Sequence, residues 1–300
     1  MRFFLPAWRR GVSIALAAAV GAAAVAAPAP MPQHDRSTGA SAHALENSTF
    51  FFRAKDGTVL TFLMLELLAS RPGAIHRTEG GGPAYVGAAS VEETGRRGEE
   101  LLGTTAHAVP LEIVPGAANE AAETFFGEVY LQSGRSYAVR YVVQDAARDE
   151  IFLKNTLLSV PYLTGGFSVS SIVPAEKYGP AGPSIAGFQV GSEEVVPKLG
   201  GVFRRSELLR LYLQVYDARP DPVTLTPRVD VVFRFYRMVK GSSKRQGKPY
   251  SIRGAAGASM GLELAIGDWP PGDYRVVVEL HDRVAAARIT NEGSFSIVAD

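Results

Sequence analysis

Apolar and polar residues alternate along most of the chain beyond residue 44, with the period of two that is typical of β-strands. Residues 229–235 show this clearly, since Asp230 and Arg234 fall on one face and the apolar residues fall on the other. Segments whose Gly, Pro, Ser and Asp content favours turns separate such stretches at 80–83, 220–222, 241–243 and 270–273. We therefore expect an all-β protein with antiparallel strands.

Two segments are ambiguous in this pattern. Residues 60–68 are apolar almost throughout, which fits either a buried helix or a buried strand. Their Thr and Phe content and their short length favour the strand. For residues 117–123 we expect a single helical turn.

An internal repeat is the most informative feature of the chain. Residues 131–145 and residues 269–282 both place a Gly turn before a Tyr, then apolar residues at every second position, and an Asp eight residues after the Tyr. The expected inward rows are Tyr137, Val139, Tyr141 and Val143 in the first copy, and Tyr274, Val276, Val278 and Leu280 in the second. Further strands are expected at 157–160 and 295–298, where each copy closes.

Each copy has the chemistry of the closing hairpin of an antiparallel sandwich. The Gly permits the tight turn, and the Tyr that follows is placed like a tyrosine corner, whose hydroxyl bonds back to the turn. Two copies predict two β-sandwich domains in tandem, domain one at 45–161 and domain two at 164–300. The join at 161–166 is too short to act as a flexible tether.

The N-terminal residues carry the pattern of an export signal. Arg2, Arg9 and Arg10 precede an Ala-rich apolar stretch at 11–27, and residues 24–26 form a small-x-small cleavage site. We expect a signal peptide at 1–27, a disordered spacer at 28–44, and a mature protein in the periplasm or secreted. An uncleaved anchor is the alternative, although the stretch is short for a membrane span.

Composition narrows the possibilities further. The chain has no cysteine, so a hydrophobic core has to hold the fold together without disulfides. Of its 31 basic residues, three lie in the expected signal peptide, which leaves 28 against 30 acidic residues in the mature chain. That balance excludes the basic footprint of a nucleic-acid-binding protein.

No group of residues predicts a catalytic, cofactor or metal site. Residues 257–261 match G-x-S-x-G, and Ser259, Asp268 and His281 follow in the order of a hydrolase triad. A nucleophile elbow, however, joins a buried strand to a helix, and here a strand-like segment at 262–266 follows instead. The histidines show none of the i, i+2 or i, i+4 spacings of metal ligands; they are His34, His43, His76, His107 and His281.

A possible binding surface is expected around a basic cluster in the second half, which spans a strand end and the following loop. The basic cluster comprises Arg234, Arg237, Lys240, Lys244, Arg245, Lys248 and Arg253. The possible binding surface takes Arg237, Lys240, Lys244 and Arg245 from it, together with the tyrosines Tyr212, Tyr216 and Tyr236. The cations suit an acidic protein, a polysaccharide or an anionic lipid, although the pattern favours an ordinary solvated hairpin loop, which needs no partner. Tyr212 and Tyr216 either line the surface or are covered by the neighbouring domain.

The mature chain resembles the C-terminal region of bacterial exported VWFA-related (von Willebrand factor A-type) proteins and of the related GWxTD-motif proteins. The matching stretches are 131–145, 158–161, 167–172, 203–216 and 269–282. The von Willebrand A domain, with its D-x-S-x-S metal site, and the G-W-x-T-D motif are missing, so metal-dependent binding is not carried over. The resemblance implies two tandem Ig-like antiparallel β-sandwich domains in an exported protein.

These observations predict a non-catalytic exported binding or scaffold protein without a cofactor. Its partner would be a protein or an envelope polymer, with no nucleic acid bound and no transmembrane segment after signal cleavage. Two alternatives stay open: a hydrolase or carbohydrate-active enzyme on a β-sandwich, and a structural spacer at the cell envelope.

Overall fold

The computed structural model describes residues 43–69, 84–94, 106–113, 122–145, 148–182 and 187–300. These residues form strands and loops, with one 3₁₀ turn at Leu199–Gly201 as their single helical element. None of them belongs to a helix with the length and hydrophobicity needed to cross a bilayer. The all-β prediction is confirmed. The expected signal peptide lies outside the described residues, as does the expected spacer except for its last two positions, which belong to the first strand.

The first half of the chain forms one seven-stranded sheet in the order β1-β2-β5-β4-β3-β6-β7. Its strands are β1 (His43–Arg53), β2 (Val59–Ala69), β3 (Tyr85–Glu93), β4 (Ala106–Ile113), β5 (Ala122–Leu131), β6 (Ser136–Asp145) and β7 (Glu150–Ser159). The sheet folds over at β4, which pairs with β3 through most of its length and with β5 only at Glu112 and Ile113. Buried residues of β2 and β6, such as Leu65 and Tyr141, therefore meet in one core.

The second half forms two sheets. One has the order β10-β11-β9-β13-β16, with β8 added on β13, and the other has the order β12-β18-β17-β14-β15. The strands are β8 (Ser168–Val169), β9 (Val173–Pro180), β10 (Phe188–Val190), β11 (Glu193–Pro197), β12 (Val202–Arg204), β13 (Leu208–Tyr216), β14 (Val229–Val239), β15 (Ser242–Ala255), β16 (Ser259–Ala265), β17 (Gly272–Asp282) and β18 (Ala287–Val298). All of these pairs are antiparallel except β12 with β18. A second core lies between the two sheets.

The repeat predicted from the sequence is a repeat of structure. Tyr137 pairs with Leu158 and Tyr274 pairs with Phe295, in each case 21 positions further along the chain. Both inward rows of β6 and β17 are buried as expected. In the two hairpin loops, Asp149 and Ala286 both have φ 55°. Each hairpin is also flanked by an earlier strand, β3 in the first half and β14 in the second.

Both repeat tyrosines bond back to the preceding turn, as expected of tyrosine corners. The Tyr137 hydroxyl accepts from the backbone N–H of Gln132 at 3.0 Å, and the Tyr274 hydroxyl donates to the Pro270 carbonyl at 2.5 Å. Both side chains are at most 2% exposed. In each half, a buried tyrosine therefore holds the turn through its hydroxyl. Tyr137 acts as the acceptor and Tyr274 as the donor.

A third core joins the two halves. The outer face of β1 and β2 contributes Phe52 and Phe62, against which the second half packs Phe188 and Tyr212. The ring centroids of Phe62 and Phe188 are 4.2 Å apart and the rings are stacked. Ala42–Asp300 consequently forms a single compact unit, because each half buries aromatic surface against the other.

The ambiguous segments have different outcomes. Residues 60–68 lie in β2, so the strand prediction is confirmed. The helical turn expected at 117–123 is wrong at its end, because Ala122 and Glu123 begin β5 and pair with Leu68 and Leu67. The rest of that turn lies outside the described residues.

Candidate functional site

The predicted basic cluster lies on the hairpin formed by β14 and β15, at one edge of its sheet. Val239 pairs with Ser242, so a two-residue turn joins the strands. Lys240 and Gly241 occupy it with φ 47° and 78°, the pair of positive angles that a type I′ turn requires. This turn matches the twist of the flanking strands, and it holds Lys240 at the tip.

Five cations of this hairpin are exposed and form no ion pair with any described residue. They are Lys240, Lys244, Arg245, Lys248 and Arg253. Other arginines at this sheet are paired with carboxylates, such as Arg283 with Asp230 at 2.7 Å and Arg275 with Glu292 at 3.3 Å. The positive potential of the hairpin is therefore left for a partner or for solvent ions to neutralise.

A row made of Arg245, Tyr236 and Arg275 crosses the hairpin and the next strand. Tyr236 of β14 pairs with Arg245 of β15 on one side and with Arg275 of β17 on the other. The Arg275 guanidinium lies 5.3 Å from the centroid of the Tyr236 ring, within the range of a cation–π contact. Its Nη1 is also 3.3 Å from Glu292 Oε2, so this arginine is held in place over the ring.

Two arginines of the cluster bond to other groups of the protein. Arg237 donates from Nη2 to the Pro271 carbonyl at 2.6 Å and thereby supports the Tyr274 turn. Arg234 forms an ion pair with Glu279, and its hydrogen bond lowers the pKa of that carboxyl. Of the residues predicted for the surface, Arg237 is thus a support, whereas Lys240, Lys244 and Arg245 are open.

Tyr212 and Tyr216 do not belong to this surface. They are 1% and 7% exposed, because β13 packs against the first half through the face that carries them. Tyr212 donates to Glu193 Oε2 at 2.6 Å, and burial raises the pKa of its hydroxyl. Burial likewise raises the pKa of Tyr216 to about 12, and its hydroxyl accepts from the Arg53 N–H at 3.1 Å.

The residues in triad order are spread over different parts of the fold. Ser259 begins β16 and His281 lies on β17, so they belong to different sheets. Asp268 is an exposed turn residue. The Ser259 hydroxyl lies 3.4 Å from the Tyr212 hydroxyl. Among the described residues, no group of three His, Asp or Glu side chains is placed to hold a metal ion.

A groove of about 680 Å³ lies where the segment between β7 and β9, residues 160–172, meets β1 and β18. Two of its polar side chains bond at the junction between the halves. Ser171 Oγ accepts from the Phe51 N–H at 2.9 Å, and Asn291 Nδ2 donates to the Ser170 carbonyl at 2.7 Å. We therefore assign the groove to the connection between the halves.

The sequence interpretation did not include Arg275 in the surface. Its position directly after Tyr274 was the available signal, because an alternating strand points Arg275 away from the core. Its neighbour across the strands, Tyr236, could only be found from the register of β14 and β17. Local alternation identifies faces, but not which strands lie side by side.

Comparisons with known proteins do not identify a family for this chain. No family model and no curated protein matches the chain. One solved structure with some likeness is a DUF4785 family protein from Legionella pneumophila subsp. pneumophila str. Philadelphia 1, with 11% identity, a TM-score of 0.24 and 80% of this chain covered. This chain spans 57% of the length of that protein.

Proposed function

We propose that the chain is a non-catalytic, exported binding module of two Ig-like sandwiches, which holds an acidic polysaccharide of the cell envelope with the hairpin of β14 and β15. The observation that carries the proposal is the set of exposed, unpaired cations on this hairpin. The export pattern of the N-terminal residues supports a place in the periplasm or outside the cell.

Strand order supports the Ig-like assignment. An Ig sandwich of the constant type has strands A, B, E and D in one sheet and C, F and G in the other. Lettering β1 to β7 from A to G reproduces these neighbours, β1-β2-β5-β4 and β3-β6-β7, within the observed order. In the second half, β9-β13-β16 and β14-β17-β18 correspond to A-B-E and C-F-G. Both corner tyrosines then start strand F, where an Ig domain carries its own.

The spread of the cations favours a polymer as the partner. Strand β15 has 14 residues, so at roughly 3.3 Å per residue it extends over about 45 Å. Lys244, Lys248 and Arg253 are distributed along that length, and Lys240 lies in the turn that precedes it. A chain with a negative charge on every few units meets several of them at once, whereas a small anion meets one. The stacked Tyr236 and Arg275 offer a flat surface beside them for a sugar ring.

Binding to polygalacturonate, a linear polymer of acidic sugars, tests the proposal by calorimetry, with neutral dextran as the comparison. We expect the protein to bind polygalacturonate and not dextran. The affinity for polygalacturonate should fall steeply as the salt concentration rises. The variant Lys244→Glu/Arg245→Glu/Lys248→Glu should lose binding at least tenfold. Its matched control is Lys55→Glu/Arg148→Glu/Lys177→Glu, which changes the net charge equally at exposed positions elsewhere. Absence of binding by the parent protein, or equal losses in both variants, would overturn the proposal.

A further inference from the structure

The strand that carries most of the free cations is irregular. Strand β15 pairs with β14 through two shifts of register. At the first shift, residues 247–249 lie opposite the single residue Arg234, and at the second, residues 253–254 lie opposite Asp230. Extra residues in one strand of an antiparallel pair form β-bulges. The other antiparallel ladders of this sheet, β14 with β17 and β17 with β18, contain nine and eleven consecutive pairs without a bulge.

Each bulge holds an exposed cation beside a glycine. Lys248 is the middle residue of the first bulge and follows Gly247, whose φ is 67°. Arg253 belongs to the second bulge and precedes Gly254, whose φ is 62°. Both angles lie in the left-handed region, which glycine adopts without a steric cost. Because a bulge changes the direction in which a strand projects its side chains, the two glycines help to place the two cations.

The residues opposite the bulges are bonded within the protein. Asp230 Oδ1 accepts from the Gly254 N–H at 2.9 Å, and Asp230 Oδ2 accepts from Arg283 Nε at 2.7 Å. Opposite the first bulge, Arg234 forms its ion pair with Glu279. The second bulge is thus held by a side chain of the neighbouring strand, and neither bulge cation has an ion pair with a described residue.

The bulges also set the spacing of the cations along the sheet. Arg245 pairs with Tyr236, so Arg245 and the two bulges lie opposite Tyr236, Arg234 and Asp230 in turn. These three residues share the outward face of β14, at intervals of about 7 and 13 Å for roughly 3.3 Å per residue. In a regular strand Lys248, three residues after Arg245, would fall on the opposite face. The bulge places it at the level of an outward position instead.

We propose that the two bulges make the hairpin selective for a stiff polyanion, a chain of linked acidic sugar rings, over a flexible polyanion. This inference rests on the proposed function and adds what the site distinguishes. Cations at fixed backbone positions suit a stiff polymer, which already carries its charges at fixed distances. A flexible polymer loses more conformational entropy when it is held in the same arrangement. Gly247 and Gly254 are then positioning residues, because they act through the cations beside them.

Protection of the sheet edge is the competing role for these bulges. Bulges and lysines keep edge strands from pairing with other chains, and β15 is the last strand of its sheet. That role needs charge and irregularity anywhere along the edge, whereas selectivity needs cations at particular positions. Moving one cation along the strand without changing the net charge therefore separates the two roles.

Calorimetry with polygalacturonate and with poly-L-glutamate of matched length tests the selectivity. We expect the parent protein to bind polygalacturonate about tenfold more tightly than poly-L-glutamate. Lys248→Ser/Ser243→Lys moves the cation from the bulge to an exposed position of the regular ladder. It should lower the affinity for polygalacturonate about tenfold and leave that for poly-L-glutamate unchanged, because the net charge is the same. The matched control Arg288→Thr/Thr290→Arg moves a cation between exposed positions of β18 and should preserve both affinities.

Gly247→Val tests the bulge without moving a charge. A Cβ at this position meets no atom within 4 Å, so the substitution acts through the left-handed φ that a β-branched residue disfavours. It should likewise reduce the preference for polygalacturonate, with the binding of poly-L-glutamate unchanged.

The outcomes distinguish this inference from the proposed function. Absence of polygalacturonate binding by the parent protein would contradict both. Equal affinity of the parent protein for the two polymers would contradict the selectivity alone. So would a preference that survives Lys248→Ser/Ser243→Lys, or equal losses for both polymers in that variant; a surviving preference would assign the bulges to edge protection.

Discussion

The hairpins β6–β7 and β17–β18 have the same interior and different exteriors. Their Tyr residues, their register and the Asp that ends the first strand of each are equivalent, and Asp145 Oδ1 and Asp282 Oδ1 accept from the third N–H further along at 3.2 and 3.1 Å. Outside, the first hairpin exposes Ile151, Leu153 and Leu157 on β7, whereas the second carries Arg288, Thr290 and Ser294 at the equivalent positions of β18. Folding thus constrains the inward positions, whereas the outward positions are free to differ between the two hairpins.

The corner tyrosines should show the largest effects, and the effects should be alike in both halves. Tyr137→Ala and Tyr274→Ala each remove a buried aromatic ring, at a cost of about 3–5 kcal/mol, and each removes a hydrogen bond worth about 1 kcal/mol. Arg275→Ala changes an exposed ion pair beside Tyr274 and should cost less than about 1 kcal/mol. Urea unfolding of the full protein measures all three.

These unfolding experiments test whether the two tyrosine corners contribute equally to stability. A loss at Tyr137 much smaller than the loss at Tyr274 would mean that only the second turn depends on its corner. A loss at Arg275 as large as the loss at Tyr274 would mean that β17 faces the opposite way.

The stability that Asp282 gives to the second hairpin should depend on pH. Burial alone would raise the pKa of Asp282, but its hydrogen bonds from the N–H groups of Arg219, Ala285 and Val284 outweigh burial and hold the pKa below 3.8. The charged carboxylate therefore stabilises the fold above pH 3.8, and this contribution is lost as the pH falls through the lower folded pKa.

We expect Asp282→Asn to lower stability near neutral pH by on the order of 1–2 kcal/mol and to flatten the loss of stability below pH 3.8. Asp268→Asn is the matched control, because Asp268 is exposed and its side chain bonds no described residue. Urea midpoints between pH 7 and pH 3 measure the difference. The same acid dependence in Asp282→Asn and in the parent protein would contradict the assignment.

The hairpins were predictable because their signals are local. Alternation, a Gly turn and a Tyr at a fixed distance from an Asp lie within 15 residues of sequence, and they identify the strands and their buried faces. The contact between the halves has no such signal. Phe62 and Phe188 are far apart in sequence, and nothing around either residue indicates that the two rings stack.

Tyr212 shows the same limit at the candidate site. Its alternation with Leu211 and Leu213 assigned it to the outward face of β13, but both faces of that strand are buried. A period of two distinguishes one side of a strand from the other and does not tell which sides are covered. The exposed face of β7 was hidden for the same reason, since Phe152 and Leu153 lie on opposite faces and are both apolar.

The smallest effect is expected from transferring the apolar row of β7 to β18. Arg288→Ile, Thr290→Leu and Ser294→Leu reproduce the side chains of β7 at equivalent outward positions, where each substitution should change stability by about 0.5 kcal/mol or less. Urea unfolding of the triple variant beside the parent protein measures the change. A loss as large as the one expected for Tyr274→Ala would show that β18 depends on its outward face as much as on its inward face.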